Sequence, residues 1–272
     1  MLETQDWKDF SITSWYDKFK HITMETVILE LPEVVLDKLI YHPASNQSDG
    51  EEEEWDEETP LPEDFKEDFK NALNTLGKTV FIKNNWHSPT DAKMFSIGNA
   101  LKAQNIDDVI LYFTTSTAIQ QDFSNVKGVP FCLALRKWIS IHPAAEFRCI
   151  VINNVLRGIT PRDWPTFYGH YKEEGRQIID ALQEFFAENI KENFKRKHYT
   201  FDVILSYPDK PYVLDFGPLN SKTNLYAFSW KEINPLLNKE VPKEVSPVFR
   251  YLESDIGIMT RAEALRKIKL SE

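Results

Sequence analysis

The chain has 272 residues, a formal net charge of −10 and a pI near 5.2. An acidic surface repels phosphate backbones, so the charge disfavours binding to nucleic acid. The length suits one large domain or two lobes, and 42% hydrophobic and 13% aromatic residues exclude global disorder. No apolar run approaches the roughly 20 residues that span a bilayer, and no secretion signal opens the chain. We therefore predict a cytoplasmic protein with neither a membrane nor a nucleic-acid partner.

Several common chemistries are excluded by motif. The sequence has no phosphate-binding G-x-x-x-x-G-K-[ST] run, no G-x-G-x-x-G turn, no H-E-x-x-H pair and no G-x-S-x-G elbow. Its two cysteines, Cys132 and Cys149, lie in apolar runs, and two thiols are too few for a disulfide framework or a zinc site. They are predicted to be reduced and to lie in the core.

The first half of the chain alternates short predicted elements with an acidic loop. Residues 44–62 lack nearly all aliphatic side chains and carry a run of acids between Asp49 and Glu58, which predicts a disordered loop. The predicted elements of this half are, in chain order, a strand at 26–31, a helix at 33–40, a helix at 65–76 ended by Gly77, a strand at 79–83, a polar loop at 84–91 and a helix starting near Asp91.

The second half places predicted strands around a long amphipathic helix. Within residues 171–194, Ile178, Leu182, Phe185 and Ile190 form one apolar face. The other predicted elements are strands at 131–138, 147–152 and 155–159, with a turn at 153–154, strands at 200–205 and 212–216, and a helix at 230–237. Because strands and helices do not strictly alternate, the order favours an α+β fold over a doubly wound parallel sheet.

Lys83 ends an apolar predicted strand. An ammonium in such a place can meet phosphate oxygens as a point charge at the mouth of a cleft. Most lysines at strand ends are simply solvated, so position alone leaves both interpretations open.

Asp202 and Asp215 lie in neighbouring predicted strands joined by a short turn. Antiparallel pairing can bring both carboxylates to one face, spaced for a magnesium ion whose shell is completed by nucleotide phosphates and water. A cation would also offset the cost of burying two unpaired carboxylates. The alternative is that they pair with Arg or Lys, or face solvent.

Glu146 and Arg148 open another predicted strand, two positions apart. Side chains at this spacing point the same way. An arginine beside a carboxylate is either a structural ion pair or a clamp for a phosphate or carboxylate ligand, and spacing does not decide between them.

The order of these features resembles the ATP-grasp fold, which implies two lobes with the nucleotide site between them. The N-terminal lobe would cover residues 1–130, including the disordered loop 44–62, and the C-terminal ATP-grasp lobe residues 131–272. In this resemblance Lys83 contacts phosphate, residues 135–138 form the hinge strand whose backbone meets adenine, and residues 146–148 are the acidic-x-Arg element. The residues implied to bind ATP are Lys83, Leu135, Arg136, Lys137, Trp138, Arg148, Asp202 and Asp215, with Asp202 and Asp215 as the magnesium ligands.

Longer stretches are similar to the cell division cycle protein 123 family. They are SWYDKF from Ser14, LGKTVFIKNNWHSPTDA from Leu76, LRKW from Leu135, PAAEFRC from Pro143, TPRDW from Thr160, FDV from Phe201 and LDFGP from Leu214. LRKW followed by AEFR and RD is specific to this family. Its members bind the gamma subunit of eukaryotic translation initiation factor 2 and promote its joining with the alpha and beta subunits, with ATP and magnesium in support. The resemblance implies a monomeric assembly chaperone of the same kind, acting in translation initiation and cell-cycle progression.

Two departures from the ATP-grasp pattern bear on turnover. Where those proteins usually carry Asn two positions after the second metal-binding acid, this chain has Gly217, so water or Asn220 would have to substitute. The glycine-rich phosphate loop is replaced by residues 84–90, which contain no glycine and predict a stiffer loop. Both departures favour a non-enzymatic assembly factor over the alternative, an ATP-grasp ligase that forms an acyl phosphate on a carboxylate substrate.

Overall fold

The computed structural model describes residues 4–40, 60–96, 101–205, 210–239, 245–255 and 263, so most of the predicted acidic loop lies outside the described residues. The chain forms two compact units. The first comprises Met1–Ser14 and Glu25–Ile139, and the second comprises Trp15–Met24 and Ser140–Glu272. The predicted lobes place the strand Cys132–Lys137 in the second lobe. In the structure it lies in the first unit, because it pairs with both other strands of that unit's sheet.

The first unit combines a small sheet with several helices. Its elements are α1 (Thr4–Phe10), the start of α2 (Ile12–Phe19), β1 (Thr26–Glu30), α3 (Glu33–Leu39), α4 (Glu63–Leu76), β2 (Val80–Lys83), a 3-10 helix (Thr90–Phe95), α5 (Ile106–Thr115), α6 (Thr117–Asn125) and β3 (Cys132–Lys137). The sheet is antiparallel with the order β1-β3-β2.

Strand alternation directs one set of side chains of this sheet into an apolar core. Val80, Ile82, Leu133 and Leu135 point into a core shared with α4 and α5. Helix α4 packs by its apolar stripe, and Gly77 ends it with φ 99° while its N–H bonds the Leu73 carbonyl. The alternate strand positions, which include Lys83 and Arg136, therefore lie on the opposite face.

The second unit is built on a larger sheet with the order β7-β6-β4-β5-β8, antiparallel except for the β5–β8 pair. Its elements are a 3-10 helix (Pro143–Ala145), β4 (Glu146–Ile152), β5 (Val155–Pro161), α7 (Tyr171–Phe185) continued by a π-helix (Phe186–Ile190), β6 (Tyr199–Ile204), β7 (Tyr212–Pro218), α8 (Trp230–Leu237) and β8 (Val248–Phe249). The β4–β5 hairpin turns through two asparagines with φ 54° and 59°, as predicted from the sequence.

One face of this second sheet is filled with aromatic rings. Phe186 stacks on Phe201, Phe194 stacks on Phe216, and Tyr171 packs against Phe147. These rings form a core on the side opposite to the polar side chains of β4 and β6. That core fixes the strand register, because a slip of one residue would turn the aromatic side chains to the polar face.

The predicted α+β fold is confirmed, and most predicted elements are present. The helix predicted near Asp91 is the short 3-10 helix Thr90–Phe95, and the predicted helix at 171–194 ends as a π-helix. Helices α1, α2, α5 and α6 had not been predicted. Both cysteines are buried free thiols. Over the part of the chain that the structure describes, no helix is long and apolar enough to cross a membrane.

Candidate functional site

A row of polar side chains crosses the second sheet. Thr160, Arg148, Asp202 and Asp215 are directly opposite one another on β5, β4, β6 and β7. Directly opposed residues of antiparallel strands point to the same face and lie about 4.5–5.5 Å apart at Cβ. The register therefore brings three of the predicted site residues, Arg148, Asp202 and Asp215, together.

Arg148 and Asp202 form a two-bond ion pair at the centre of this row. The Arg148 Nε and one terminal nitrogen each donate to a different oxygen of Asp202, both at 2.7 Å. The Asp202 side chain is 7% exposed. Fork-to-fork pairing of this kind fixes the direction of both groups. The alternative left open by spacing, that Asp202 pairs with an arginine, is thus what the structure contains.

A second arginine, Arg162, extends the cluster. Its Nε lies 3.3 Å from Asp202, and a terminal nitrogen donates to Glu146 at 3.0 Å. Arg162 comes directly after β5, and its N–H bonds the Glu146 carbonyl, which places its side chain beside the cluster. Two guanidinium groups and three carboxylates, counting that of Asp215, therefore share one face of the sheet.

Tyr226 and Asn224 hold the arginines from the segment after β7. The Arg148 guanidinium lies 5.0 Å from the Tyr226 ring centroid and donates to the Asn224 carbonyl at 2.8 Å. The Tyr226 hydroxyl accepts from Arg162 Nε at 3.4 Å. These contacts orient the guanidinium of Arg148 without using the edge that faces Asp202.

Burial and ion pairing shift the pKa of these groups in ways that keep both arginines charged. Burial lowers the pKa of Arg148 and of Arg162, but Asp202 and Tyr226, joined at Arg162 by Glu146, outweigh it, so both pKa values are raised. Burial raises the pKa of Glu146, against the opposing effect of Arg162. The cluster therefore retains two cationic forks that could meet phosphate oxygens.

Asp215 lies at the half-buried end of the row. One of its oxygens accepts from the Phe216 N–H at 3.0 Å. At Gly217, two positions on, a Cβ would lie 3.1 Å from Thr200 Oγ1, so a side chain there would crowd its neighbour. The Asn220 side-chain oxygen already accepts from the Lys222 N–H at 2.9 Å.

The chemistry of the donors fits one magnesium ion better than two. Carboxylate oxygens are the ligands that this ion prefers, and it commonly uses only one or two of them. Among the described residues no group of three or more His, Cys, Asp or Glu side chains is arranged to hold a metal. Asp202 and Asp215 therefore remain the predicted ligands, with phosphate and water needed to complete the shell.

In the first unit, Lys83 and Arg136 lie on the face of the sheet opposite to Ile82 and Leu135. Lys83 is directly opposite Ala134, and Arg136 is directly opposite Phe81. Lys83 has no exposed surface and Arg136 is 2% exposed, so Lys83 is not a solvated strand-end lysine. Burial raises the pKa of the Cys132 thiol to about 12, and the charge of Lys83 opposes that rise.

The residues of the LRKW stretch, which is the end of β3 and the following Trp138, have different surroundings. Leu135 points into the core, and Lys137 pairs with Glu25 at 3.2 Å. The Lys102 ammonium nitrogen lies over the Trp138 ring, 5.1 Å from the ring centroid. Because β3 is the middle strand, the backbone of Leu135 and Arg136 is used in the two ladders. Contact between adenine and this backbone therefore stays a prediction. Backbone groups at Trp138, directly after β3, suit that contact better than those of Leu135 and Arg136.

The loop after Lys83 is held by a buried carboxylate of α6. Asp122, 3% exposed, accepts from Asn84 Nδ2 at 2.9 Å and from His87 Nδ1 at 2.7 Å. The Asn84 side-chain oxygen accepts the N–H groups of Trp86 and His87. These bonds, formed by a loop that contains no glycine, fit the prediction of a stiff loop.

The family is decided by a match along nearly the whole chain. A model of the D123 family, described as D123, matches residues 15–271. The chain belongs to the D123 family. A protein of Xenopus tropicalis named translation initiation factor eIF2 assembly protein is 32% identical, with 90% of this chain and 84% of that protein aligned. A protein of the same name from Dictyostelium discoideum is 27% identical over 92% of this chain and 87% of its own length.

The solved structure of Cdc123 from Schizosaccharomyces pombe has the same fold as this D123 family member. It aligns with a TM-score of 0.77 and 23% identity, covering 92% of this chain and 98% of that one. A RimK domain ATP-grasp protein from Sphaerobacter thermophilus aligns with a TM-score of 0.42, which is too distant to assign a function.

In each unit of this D123 family member, residues that contact the predicted site residues or the loop after Lys83 were not predicted from the sequence. Arg162 belongs to the TPRDW stretch that indicated the family, but the sequence did not indicate that it contacts Asp202. Tyr226, Asn224 and Asp122 carry no local signal, because long-range packing alone brings them to their partners. A buried acid with two donors is recognisable only when the fold is known.

Proposed function

We propose that this chain is an ATP- and magnesium-binding assembly factor that binds the gamma subunit of eukaryotic translation initiation factor 2 and promotes formation of its heterotrimer. The observation that carries the proposal is the similarity to proteins named eIF2 assembly protein, which extends over nine tenths of the chain. The polar row of the second sheet supports the nucleotide part of the proposal.

The residues suit a triphosphate and its cation in separate ways. Arg148 offers a planar fork that matches phosphate oxygens, and Lys83 offers a point charge. Asp202 and Asp215 would hold magnesium, which when bound would neutralise phosphate charge. Trp138 is the proposed contact for adenine. Nucleotide binding would then favour the conformation that presents the partner-binding face, as expected when a ligand binds one state better than another.

The proposal is tested by reconstitution from purified subunits. The chain is mixed with the alpha, beta and gamma subunits, with and without ATP and magnesium, and heterotrimer is measured by size-exclusion chromatography. We expect the chain to bind gamma alone and to accelerate heterotrimer formation when ATP and magnesium are present. Failure to bind the gamma subunit would overturn the assembly role.

A matched pair of variants tests the metal site. Asp215→Ala should abolish magnesium-dependent ATP binding in calorimetry while the far-ultraviolet spectrum stays unchanged. Asp180→Ala removes an exposed acid of α7 that pairs across one helical turn with Arg176 at 3.1 Å, and it should leave ATP binding intact. Equal loss in both variants would contradict the assignment of Asp215.

The ligase alternative has its own readout. The chain is incubated with ATP, magnesium and candidate carboxylates, and release of ADP and phosphate is followed. Steady turnover without the translation factor would replace the assembly proposal by the ligase. Absence of turnover together with ATP-dependent assembly would support the assembly factor.

A further inference from the structure

We infer that Arg148 and a divalent cation compete for Asp202, so that phosphate and cation promote each other's binding through exchange of this one ion pair. The inference rests on the proposed nucleotide site and specifies how that site is kept closed to metal before the nucleotide arrives. The affinity of the protein for the cation alone measures this competition.

Competition for Asp202 follows from the geometry of the carboxylate. Both oxygens accept a 2.7 Å bond from Arg148, and Arg162 lies 3.3 Å from one of them. A carboxylate has about four lone-pair positions, and magnesium requires an oxygen at about 2.0–2.1 Å in near-octahedral geometry. A cation bound to Asp202 would thus lie beside the positively charged Arg148 guanidinium, and repulsion between the two charges disfavours this arrangement.

Competition for Arg148 follows from the direction of its fork. The edge formed by Nε and one terminal nitrogen faces Asp202. A phosphate accepts the same two-bond fork, so phosphate and Asp202 compete for one edge. The remaining nitrogen stays bonded to the Asn224 carbonyl and the guanidinium stays over the Tyr226 ring, so the edge can be re-used with little movement of the side chain.

The two competitions are coupled because they share one ion pair. A phosphate that takes the fork frees Asp202 for the cation, and a cation on Asp202 frees the fork for phosphate. Binding couplings of this kind are reciprocal: each ligand raises the affinity of the other by the same factor. Asp215, directly opposite Asp202 in the register, would receive the cation on the other side.

The experiment measures binding of Mn²⁺ alone to the full chain by electron paramagnetic resonance of the free ion. Arg148→Met, which keeps a long apolar side chain but removes the fork, should bind Mn²⁺ at least tenfold more tightly than the wild type. The same variant should bind ATP in EDTA at least tenfold more weakly. Opposite changes in the two affinities are the signature of the exchange, since simple loss of structure would weaken both.

Three further variants make the result decisive. Asp202→Asn added to Arg148→Met should remove the gain in Mn²⁺ affinity. Arg176→Met is the matched control, because Arg176 is an exposed arginine of α7 that pairs with Asp180 outside the cluster, and it should change Mn²⁺ affinity less than threefold. If Arg148→Met is unfolded by circular dichroism, Arg148→Gln keeps a polar side chain without the charge or the fork and should still bind Mn²⁺ more tightly than the wild type.

The outcomes separate the inference from the proposed function. Unchanged or weaker Mn²⁺ binding in folded Arg148→Met and Arg148→Gln overturns the exchange, even if the wild type binds ATP. Absence of ATP binding in the wild type overturns the nucleotide function, while tighter Mn²⁺ binding in Arg148→Met would still uphold competition for Asp202.

Discussion

Removing the Asp122 carboxylate should weaken the first unit at the loop that follows Lys83. In Asp122→Ala, the Asn84 side-chain amide, which has no exposed surface, loses its acceptor at 2.9 Å, and His87 loses its acceptor at 2.7 Å. A buried hydrogen bond to a charged group contributes about 1.5–3 kcal/mol, with a further cost when the donor stays buried and unpaired. The His87 bond counts for less, about 0.5–1 kcal/mol, because His87 is half exposed and screened by solvent.

These contributions give an expected loss of about 3 kcal/mol in the free energy of unfolding. Urea unfolding followed by circular dichroism measures it, and amide hydrogen exchange at Trp86 and His87 measures the local effect. Asp122→Asn is the matched control, since it keeps the shape and one acceptor oxygen and should lose about half as much. A loss below about 1 kcal/mol in Asp122→Ala, with unchanged exchange at both amides, would refute this account of the loop.

Two further predictions concern the second unit. In Gly158→Ala the new Cβ would meet Phe228 at 2.8 Å, so overpacking should cost about 1–3 kcal/mol in urea unfolding, with recovery when Phe228→Leu is added. Burial raises the pKa of Glu232, but hydrogen bonds from Ser229 and the ion pair with Arg250 outweigh it and the pKa is lowered. A lowered pKa means that Glu232 stabilises the fold above its unfolded pKa of about 4.3, and that this stability is lost as pH falls through the folded pKa. Urea midpoints at pH 7 and pH 3 should therefore differ less in Glu232→Gln than in the wild type, and an identical difference would contradict the assignment.

Elements with a clear apolar period were predictable from the sequence. Helix α4 shows its core stripe at Phe65, Phe69, Leu73 and Leu76, and the structure buries these residues. Helix α5 was missed, because its centre, VILYF, is β-branched and aromatic and shows no helical alternation. The available signal was local: Asn105 and Asp108 form a capping box at its start.

The candidate site was predictable only as far as side-chain direction depends on spacing within one strand. Glu146 and Arg148, two positions apart, do point to one face, but the sequence did not indicate whether Arg148 meets a protein carboxylate or a ligand. That choice depends on which residue of β6 lies opposite, and the structure places Asp202 there. The second cation of the cluster, Arg162, depends on a third strand. Such contacts arise from pairing between strands, which local patterns do not encode.

The meeting of Asp202 with Asp215 depends on an irregularity that no sequence pattern indicated. Near the turn, Val203 is opposite Val213, and in that register Asp202 would face Leu214 while Asp215 would lie opposite Phe201, on the aromatic core face. The ladder shifts by one residue between Asp202 and Val203, so that Asp202 instead faces Asp215. An extra residue in one strand re-aims every side chain beyond it. A carboxylate directed into the aromatic core would be costly, and a β7 without the bulge would also separate the two acids. The bulge therefore gives β7 a buried apolar face and places the second acid beside the first, and any cation site on this sheet depends on it.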